Sequence, residues 1–278
     1  MPFELRLRPL ADRGALLFDL HKALLKVQSW CQEVALLQTG YFRGVFHVQS
    51  KEGNPSDLVT EVDFKSEQLI LQHIAKEYPD HEILSEEAGA ISGKDSDFLW
   101  IIDPLDGTSN FARGFGAFAI SIALAYQGEV CLAVVLAPYL KETFHAIKSE
   151  GAFLNGKPIQ AGRQKELLHA WASSSLLFEQ SLSVDSLRTL HRLLGKLGGV
   201  RRLGAAAYEL SAVGSGFFDL YFESGLKRWD VAAAALIAKE AGAIVKVQAL
   251  GERYSVLAAN PELFALIETD LWPFLSLS

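Results

Sequence analysis

The chain has 278 residues, half of them apolar and 21% charged, with acidic residues exceeding basic ones to a net charge of −7. That balance describes an ordinary folded chain, long enough for one large α/β unit or two smaller ones sharing a core. It excludes a largely disordered polypeptide and argues against a polyanion held on a basic surface, so no direct nucleic-acid partner is expected. The two cysteines, Cys31 and Cys131, sit in apolar stretches and read as buried free thiols, which fits a reducing, cytoplasmic setting. The opening MPFELRLRPLADRG carries acidic residues and no long apolar core, so it does not read as a signal peptide. The longest nearly apolar run, Gly114 to Tyr126, is broken by Ser121 and too short to span a bilayer, so a soluble chain without a membrane partner is expected.

In chain order, helical spacing runs from about Ala15 to Gln38 through Leu16, Leu17, Leu20, Leu24 and Val27, with Gly40 as the stop. After the turn-rich SKEGNPSD, Thr60 opens a second helix that passes Ile70 and Ile74 and closes at Pro79. HEILSEE is a short strand running into acidic residues, and DFLWIID is an apolar strand stopped by Asp103-Pro104. Phe118 to Tyr126 and Val130 to Ala137 form two strands, Thr143 to Ile147 another, and GAFLNGKP a turn. The second half predicts a strand at Ala170 to Ser174, a helix at Val184 to Leu197 and a strand at Val200 to Leu203. A helix at Gly204 to Gly214 and a strand at Phe217 to Phe222 follow. Asp230 starts an alanine-rich helix, strands follow at Ala243 to Val247 and Tyr254 to Ala258, and Pro261 to Thr269 is the last helix. Strands and helices mix without alternating strictly, which favours stacked α and β layers over a doubly wound sheet. A soft division falls near 141–160 with no flexible linker, so 1–278 is read as a single unit of two halves.

Several carboxylates stand where strands end. Asp103 and Asp106 bracket Pro104-Leu105, Glu86 and Glu87 follow HEILS, and Asp230 follows a tryptophan and precedes a helix. Strand ends and helix starts commonly line active sites in α/β proteins. Grouping so many carboxylates costs electrostatic energy unless cations bind among them, and oxygen-only ligands suit Mg²⁺. Each piece also has a structural reading. Asp103-Pro104 and Asp106-Gly107 are turn dipeptides, Thr60-x-x-Asp63 is a capping box, Asp230 is an N-cap, and Glu86-Glu87 is a solvated pair. Glu223 in YFESG reads equally as a surface residue at a strand end. None of the seven histidines pairs with a serine or cysteine in a nucleophile motif, and neither GxxxxGK[ST] nor GxGxxG occurs.

The pieces also fall in a known order. WIIDPLDGTSNF (Trp100 to Phe111) and WDVAAAALIAKEAG (Trp229 to Gly242) resemble the two signatures of the inositol monophosphatase family. DLVTEVD, Ser85 to Glu87, GAFLNG and AANP resemble further family segments, and the resemblance runs from about Leu16 to the C-terminus. It implies a five-layer αβαβα sandwich, usually a homodimer, and a Mg²⁺-dependent phosphatase with two to three ions per active site. Glu86, Asp103 and the backbone carbonyl of Leu105 would hold one ion, Asp103, Asp106 and Asp230 a second, and Glu86 would touch a third. Thr108 with Asp63 would polarise the attacking water, so Thr108, Asp63 and Glu86 carry the catalytic roles. Asp106, Gly107, Thr108 and Asp230 would meet the phosphate side, and Gly204, Ala205, Ala206 and Glu223 the alcohol side. The amino-terminal half would supply the metal and water-activating residues, and the carboxy-terminal half the substrate lining and Asp230.

Within that resemblance a lithium-sensitive inositol 1-phosphate phosphatase leads. Fructose 1,6-bisphosphate, histidinol phosphate and 3′-phosphoadenosine phosphate are rival substrates. Some bacterial relatives act on the transcription machinery as partners. Arg201-Arg202 and Leu226-Lys227 therefore form a candidate basic patch for a protein partner alongside catalysis; ordinary surface arginines are the plainer reading.

Overall fold

The computed structural model describes residues 18–51, 58–174, 191–193 and 195–275. The segment Met1 to Gly14, the loop after Lys51 and most of the expected Val184 to Leu197 helix lie outside the described residues. Helix α1 spans Leu20–Tyr41, and its N-cap Asp19 accepts a hydrogen bond from the Lys22 N–H at 2.9 Å. Its buried stripe of Ala23, Val27, Trp30, Cys31 and Val34 follows the helical period. Gly40, read as the stop, instead lies inside the last turn. The chain leaves the helix at Phe42, whose ring packs against Phe111, Phe118 and Tyr139. Tertiary packing, not glycine, sets that end.

A ribbon of β1 (Val48–Ser50) and β2 (Leu58–Thr60) leads into α2 (Glu61–Glu77). Helices α1 and α2 pack together on one face of an eight-stranded sheet. That sheet holds β3 (His81–Ser85), β4 (Gly89–Ile91), β5 (Asp95–Asp106), β6 (Ala119–Tyr126), β7 (Glu129–Ala137), β8 (Glu142–Ile147), β9 (Ala152–Leu154) and β10 (Lys157–Pro158). Its order is β10-β9-β8-β7-β6-β5-β3-β4, with only the β3–β5 pairing parallel. The turn expected at GAFLNGKP is thus a small β9–β10 hairpin at the sheet edge. The strand expected to stop at Asp103-Pro104 runs on to Asp106. Its register with β6 breaks between Asp103 and Asp106, because Pro104 has no N–H for the ladder and the strand bulges there.

The second sheet comprises β11 (Trp171–Ser173), β12 (Gly199–Arg201), β13 (Leu220–Leu226), β14 (Ile244–Leu250) and β15 (Arg253–Ala259), in the order β12-β11-β13-β15-β14. Between the sheets lie α4 (Ala206–Gly214) and α5 (Arg228–Glu240), the short α3 (Thr108–Ala112) having followed β5. Small residues let this middle layer fit. A Cβ on Gly214 would stand 3.2 Å from the Ala241 Cβ and 3.3 Å from the Ala238 Cα. Helix α6 (Pro261–Leu275) covers the outer face of the second sheet, where Leu263, Phe264 and Ile267 meet Leu220, Phe222 and Leu257. The order of layers is αβαβα, the order that the family resemblance implies. No described helix is long and apolar enough to cross a membrane.

Candidate active site

The β5 bulge, the end of β3 and the starts of α2, α3 and α5 meet at one place. Asp63 is the third residue of α2, and its Oδ2 accepts hydrogen bonds from the Thr60 N–H (2.8 Å) and the Thr60 hydroxyl (2.6 Å). The capping box read from sequence is therefore real. It also aims the other oxygen of Asp63 across the chain, where Oδ1 accepts the Thr108 hydroxyl at 2.8 Å. Burial pushes the Asp63 carboxyl up to about 6, against the lowering effect of the Thr60 and Thr108 hydrogen bonds. Thr108 Oγ1 also lies 3.0 Å from the Leu105 carbonyl, a longer contact for the same proton. The Leu105 side chain is buried with Val62, Phe111 and Phe118, which fixes the carbonyl's direction.

Gly107 turns the chain from β5 into α3 at φ 85°, and a Cβ there would stand 2.9 Å from the Ala117 carbonyl oxygen. Only glycine fits. The same added atom would stand 3.2 Å from the Ala205 Cβ and 3.3 Å from the Gly204 carbonyl oxygen, so the 204–206 turn lies directly against Gly107. The Asp106 Oδ2 accepts the Tyr208 N–H at 3.2 Å, tying the start of α4 to the end of β5.

Four carboxyls gather here. Asp103 and Asp106 are buried, Glu86 and Asp230 half-buried. Burial, then the negative charges of Glu86, Asp106 and Asp230, hold Asp103 well above the usual carboxylate range. Burial and then Asp230 do the same to Asp106. Asp230 is pushed up to about 7 by burial and then by Glu86. Glu86 is raised by burial, against the lowering effect of Lys51. One cation of the chain already answers this charge: Lys51 Nζ sits 2.7 Å from Glu86 and 2.8 Å from Glu87. Among the described residues no three carboxylate, imidazole or thiolate groups stand close enough to hold an ion as they are placed. The donor set nonetheless fits a hard cation in kind, being oxygen-only and carrying more negative charge than one lysine balances.

Asp230, read as an N-cap, is corrected. Lys227 is the extended cap residue, and Asp230 sits three positions on, its Oδ2 accepting the Lys227 N–H at 2.7 Å. Glu223 is corrected as well. It lies inside β13 rather than at a strand end, is 3% exposed, and accepts the Tyr221 hydroxyl at 2.6 Å. The patch residues separate: Leu226 is buried, Lys227 pairs with Glu252 at 3.5 Å, and Arg201 and Arg202 are exposed, with Arg201 stacked over Trp171 at 4.1 Å.

Three residues that sequence reasoning passed over organise the site. Glu209, fully buried, accepts the N–H groups of Leu203 (3.0 Å), Gly204 (2.9 Å) and Ala205 (3.0 Å) and the Ser173 hydroxyl. Glu67 accepts the N–H groups of Glu87 (3.1 Å) and Ala88 (3.0 Å) and the Ser85 hydroxyl, and so shapes the acidic turn. Asn110 joins the Ala117 carbonyl (2.6 Å) to that of Leu203 (2.7 Å). The available signal was a carboxylate on the apolar face of a helix, Glu67 in step with Asp63 and Ile70, and Glu209 amid AAYELSAVG.

Fold and site together define a layered α/β protein with a cluster of carboxyls where the end of β3, the β5 bulge and the starts of α2, α3 and α5 meet. The family model described as "Inositol monophosphatase family" matches residues 21–272, and the chain belongs to that family. It is 39% identical over 237 residues to a Nus factor SuhB of Pseudomonas aeruginosa, covering 82% of this chain and 88% of that one. A crystal structure of the extragenic suppressor protein suhB from Bartonella henselae superposes with a TM-score of 0.84 at 29% identity, covering 90% of this chain and 98% of that one. An IMPase of Thermotoga maritima superposes with a TM-score of 0.82 at 31% identity, covering 91% and 98%.

Proposed function

We propose that the chain is a Mg²⁺-dependent phosphatase that hydrolyses a small phosphate monoester, inositol 1-phosphate first among them. The observation that carries this reading is the gathering of Glu86, Asp103, Asp106 and Asp230 beside the Thr108–Asp63 hydrogen bond. Glu86, Asp103 and the Leu105 carbonyl would hold one Mg²⁺, Asp103, Asp106 and Asp230 a second, and Glu86 would touch a third. Bound there, the ions supply charge neutralisation for the phosphate dianion and acidify water.

The chain's own residues do the rest. Thr108 donates its hydroxyl hydrogen bond to Asp63, which leaves the Thr108 oxygen lone pairs to accept a hydrogen bond from an incoming water. With a pKa raised to about 6, Asp63 is a stronger base than an exposed aspartate and remains mostly ionised at neutral pH. Gly107, which admits no side chain, lets the phosphate approach the backbone at the start of α3. The N–H groups of Gly204 and Ala205 are taken by Glu209, so the 204–206 turn offers the alcohol shape and carbonyls rather than donors. Glu223, which accepts the Tyr221 hydroxyl, would meet a hydroxyl on the alcohol side of the substrate. The whole chain acts as one catalytic unit, in the cytoplasm and as a homodimer.

A second reading has its own observation. Arg201, the last residue of β12, and Arg202 after it are exposed, and Arg201 is stiffened on the exposed Trp171 ring. A relative named Nus factor makes a protein partner for this edge the natural companion role. A phosphate-release screen over inositol 1-phosphate, fructose 1,6-bisphosphate, histidinol phosphate and 3′-phosphoadenosine phosphate, with Mg²⁺ and with EDTA, tests the catalytic reading. Release from inositol 1-phosphate that EDTA abolishes supports it. No release from any of the four overturns it, and release from another substrate reassigns the alcohol.

A further inference from the structure

Helix α5 shows different faces to different places. Asp230 belongs to the acidic site, whereas Arg228, Val231, Ala232, Ala235 and Lys239 line a separate cavity of about 410 Å³. The opposite wall comes from Val245 and Val247 of β14 and Tyr254 of β15. The cavity exists because alanines stand at 232 and 235, where larger side chains would fill the space between helix and strand. Its volume lies within the range of small-molecule sites, and its walls are largely apolar.

Charge is distributed unevenly around this space. Glu240 is engaged by the N–H groups of Ser149 (2.8 Å) and Gly151 (3.0 Å), and Glu129 pairs with Lys148. Lys239, half-buried in the wall, makes no hydrogen bond and no ion pair with any described residue. Burial lowers its pKa, and only the more distant charge of Glu129 opposes that. An ammonium withdrawn from water without a partner is costly, and an anion beside it removes the cost.

We propose that this cavity binds a small amphipathic anion, an apolar ring or chain ending in one carboxylate that pairs with Lys239. The apolar body lies between Ala232, Ala235 and Val245, and the carboxylate meets the ammonium at the mouth. Lys239 is nine positions from Asp230, about 14 Å along the helix, so the site is distinct from the acidic centre. It does not depend on the phosphatase reading.

The test is calorimetric titration of the full chain with 4-phenylbutyrate and with its neutral analogue 4-phenylbutanol. Phenylbutyrate should bind one per chain and more tightly than phenylbutanol. Lys239→Met, which keeps the stem's apolar contact, should weaken phenylbutyrate at least tenfold and leave phenylbutanol nearly unchanged. Ala235→Leu, filling the cavity, should weaken both, with a melting curve to confirm folding. No binding of phenylbutyrate at millimolar concentration, or equal binding to the Lys239→Met protein, overturns the proposal: the lysine then merely covers an apolar wall with its stem. If Ala235→Leu does not fold, the Lys239→Met comparison decides alone.

Discussion

Two sets of carboxylates lie inside this protein, and they are treated in opposite ways. Glu67 and Glu209 are each surrounded by donors, two or three backbone N–H groups and a serine hydroxyl apiece. Asp103, Asp106, Glu86 and Asp230 face one another, and their carboxyls are raised by burial and by mutual charge. The first set is satisfied by the fold and fixes two turns, 85–88 and 203–205. The second set has fewer donors, Lys51 at Glu86 and backbone N–H groups at Asp103, Asp106 and Asp230, and keeps mutual repulsion that these do not remove. A buried carboxylate with a full set of donors is a structural part, and one that meets other carboxylates is a candidate for a site.

The comparison breaks most visibly at Asp106. Asp106→Asn should lower phosphate release by about 10³-fold, the scale of losing one electrostatic anchor of a transition state. The amide oxygen can still accept the Tyr208 N–H, so the fold should persist, and the metal-free protein should melt higher because one repelling charge is gone. A folded variant with turnover near the parent would show that Asp106 belongs with Glu67 and Glu209.

Next in size is the hydroxyl–carboxylate pair. Thr108→Ala should reduce kcat about 10²–10⁴-fold while Mg²⁺ affinity stays close to the parent's, because the hydroxyl serves the water. Asp63→Asn should behave alike, and the double variant should lose little more than either single one. Steady-state kinetics at several Mg²⁺ concentrations checks this; losses that multiply would separate the two residues.

The donor-rich set should answer in stability instead. Glu209→Ala strands three N–H groups and a hydroxyl, a cost of about 3 kcal/mol. Thermal melting should therefore shift down by about 6–12 °C. An unchanged melting curve would place the holding power of the 203–205 turn elsewhere, in Asn110.

In the metal-free protein the two sets should also part by pH. A carboxyl whose folded pKa is raised is protonated preferentially in the folded state, so the fold gains protons relative to the unfolded chain. For Asp230, raised from 3.8 to about 7, and Asp63, raised to about 6, this stability is full below the unfolded pKa and is lost as pH climbs through the folded values. Denaturant unfolding in EDTA should show stability declining between about pH 4 and pH 7. Saturating Mg²⁺ should flatten the decline; identical profiles with and without Mg²⁺ would contradict the cation role of the cluster.

The smallest effect belongs to Glu223, a buried carboxylate of β13 that accepts the Tyr221 hydroxyl. Glu223→Gln should raise KM for inositol 1-phosphate about tenfold with kcat less affected, and should leave β-glycerophosphate nearly untouched. Equal loss on both substrates would make Glu223 structural.

What the sequence determined by itself was whatever local chemistry decides. The α1 stripe, the Thr60–Asp63 capping box, the apolar strands over 98–103 and 118–137, and the alanine-rich helix after Trp229 are set by spacing and capping within a few residues. The motif residues at 103–108 and 229–242 were legible for the same reason, since a turn and a helix start need specific neighbours. Only the tertiary structure decided the rest. Helix α1 runs past Gly40 because Phe42 finds an aromatic pocket built by residues 111–139, far along the chain. Pro104 ends no strand because its missing N–H falls at a bulge, a position fixed by pairing with β6. Glu223 is buried because β15 pairs with β13 along its length, and Glu67 and Glu209 are clamps because distant turns bring N–H groups to them. A donor's place around a buried carboxylate is a matter of three dimensions, and no periodicity along the chain encodes it.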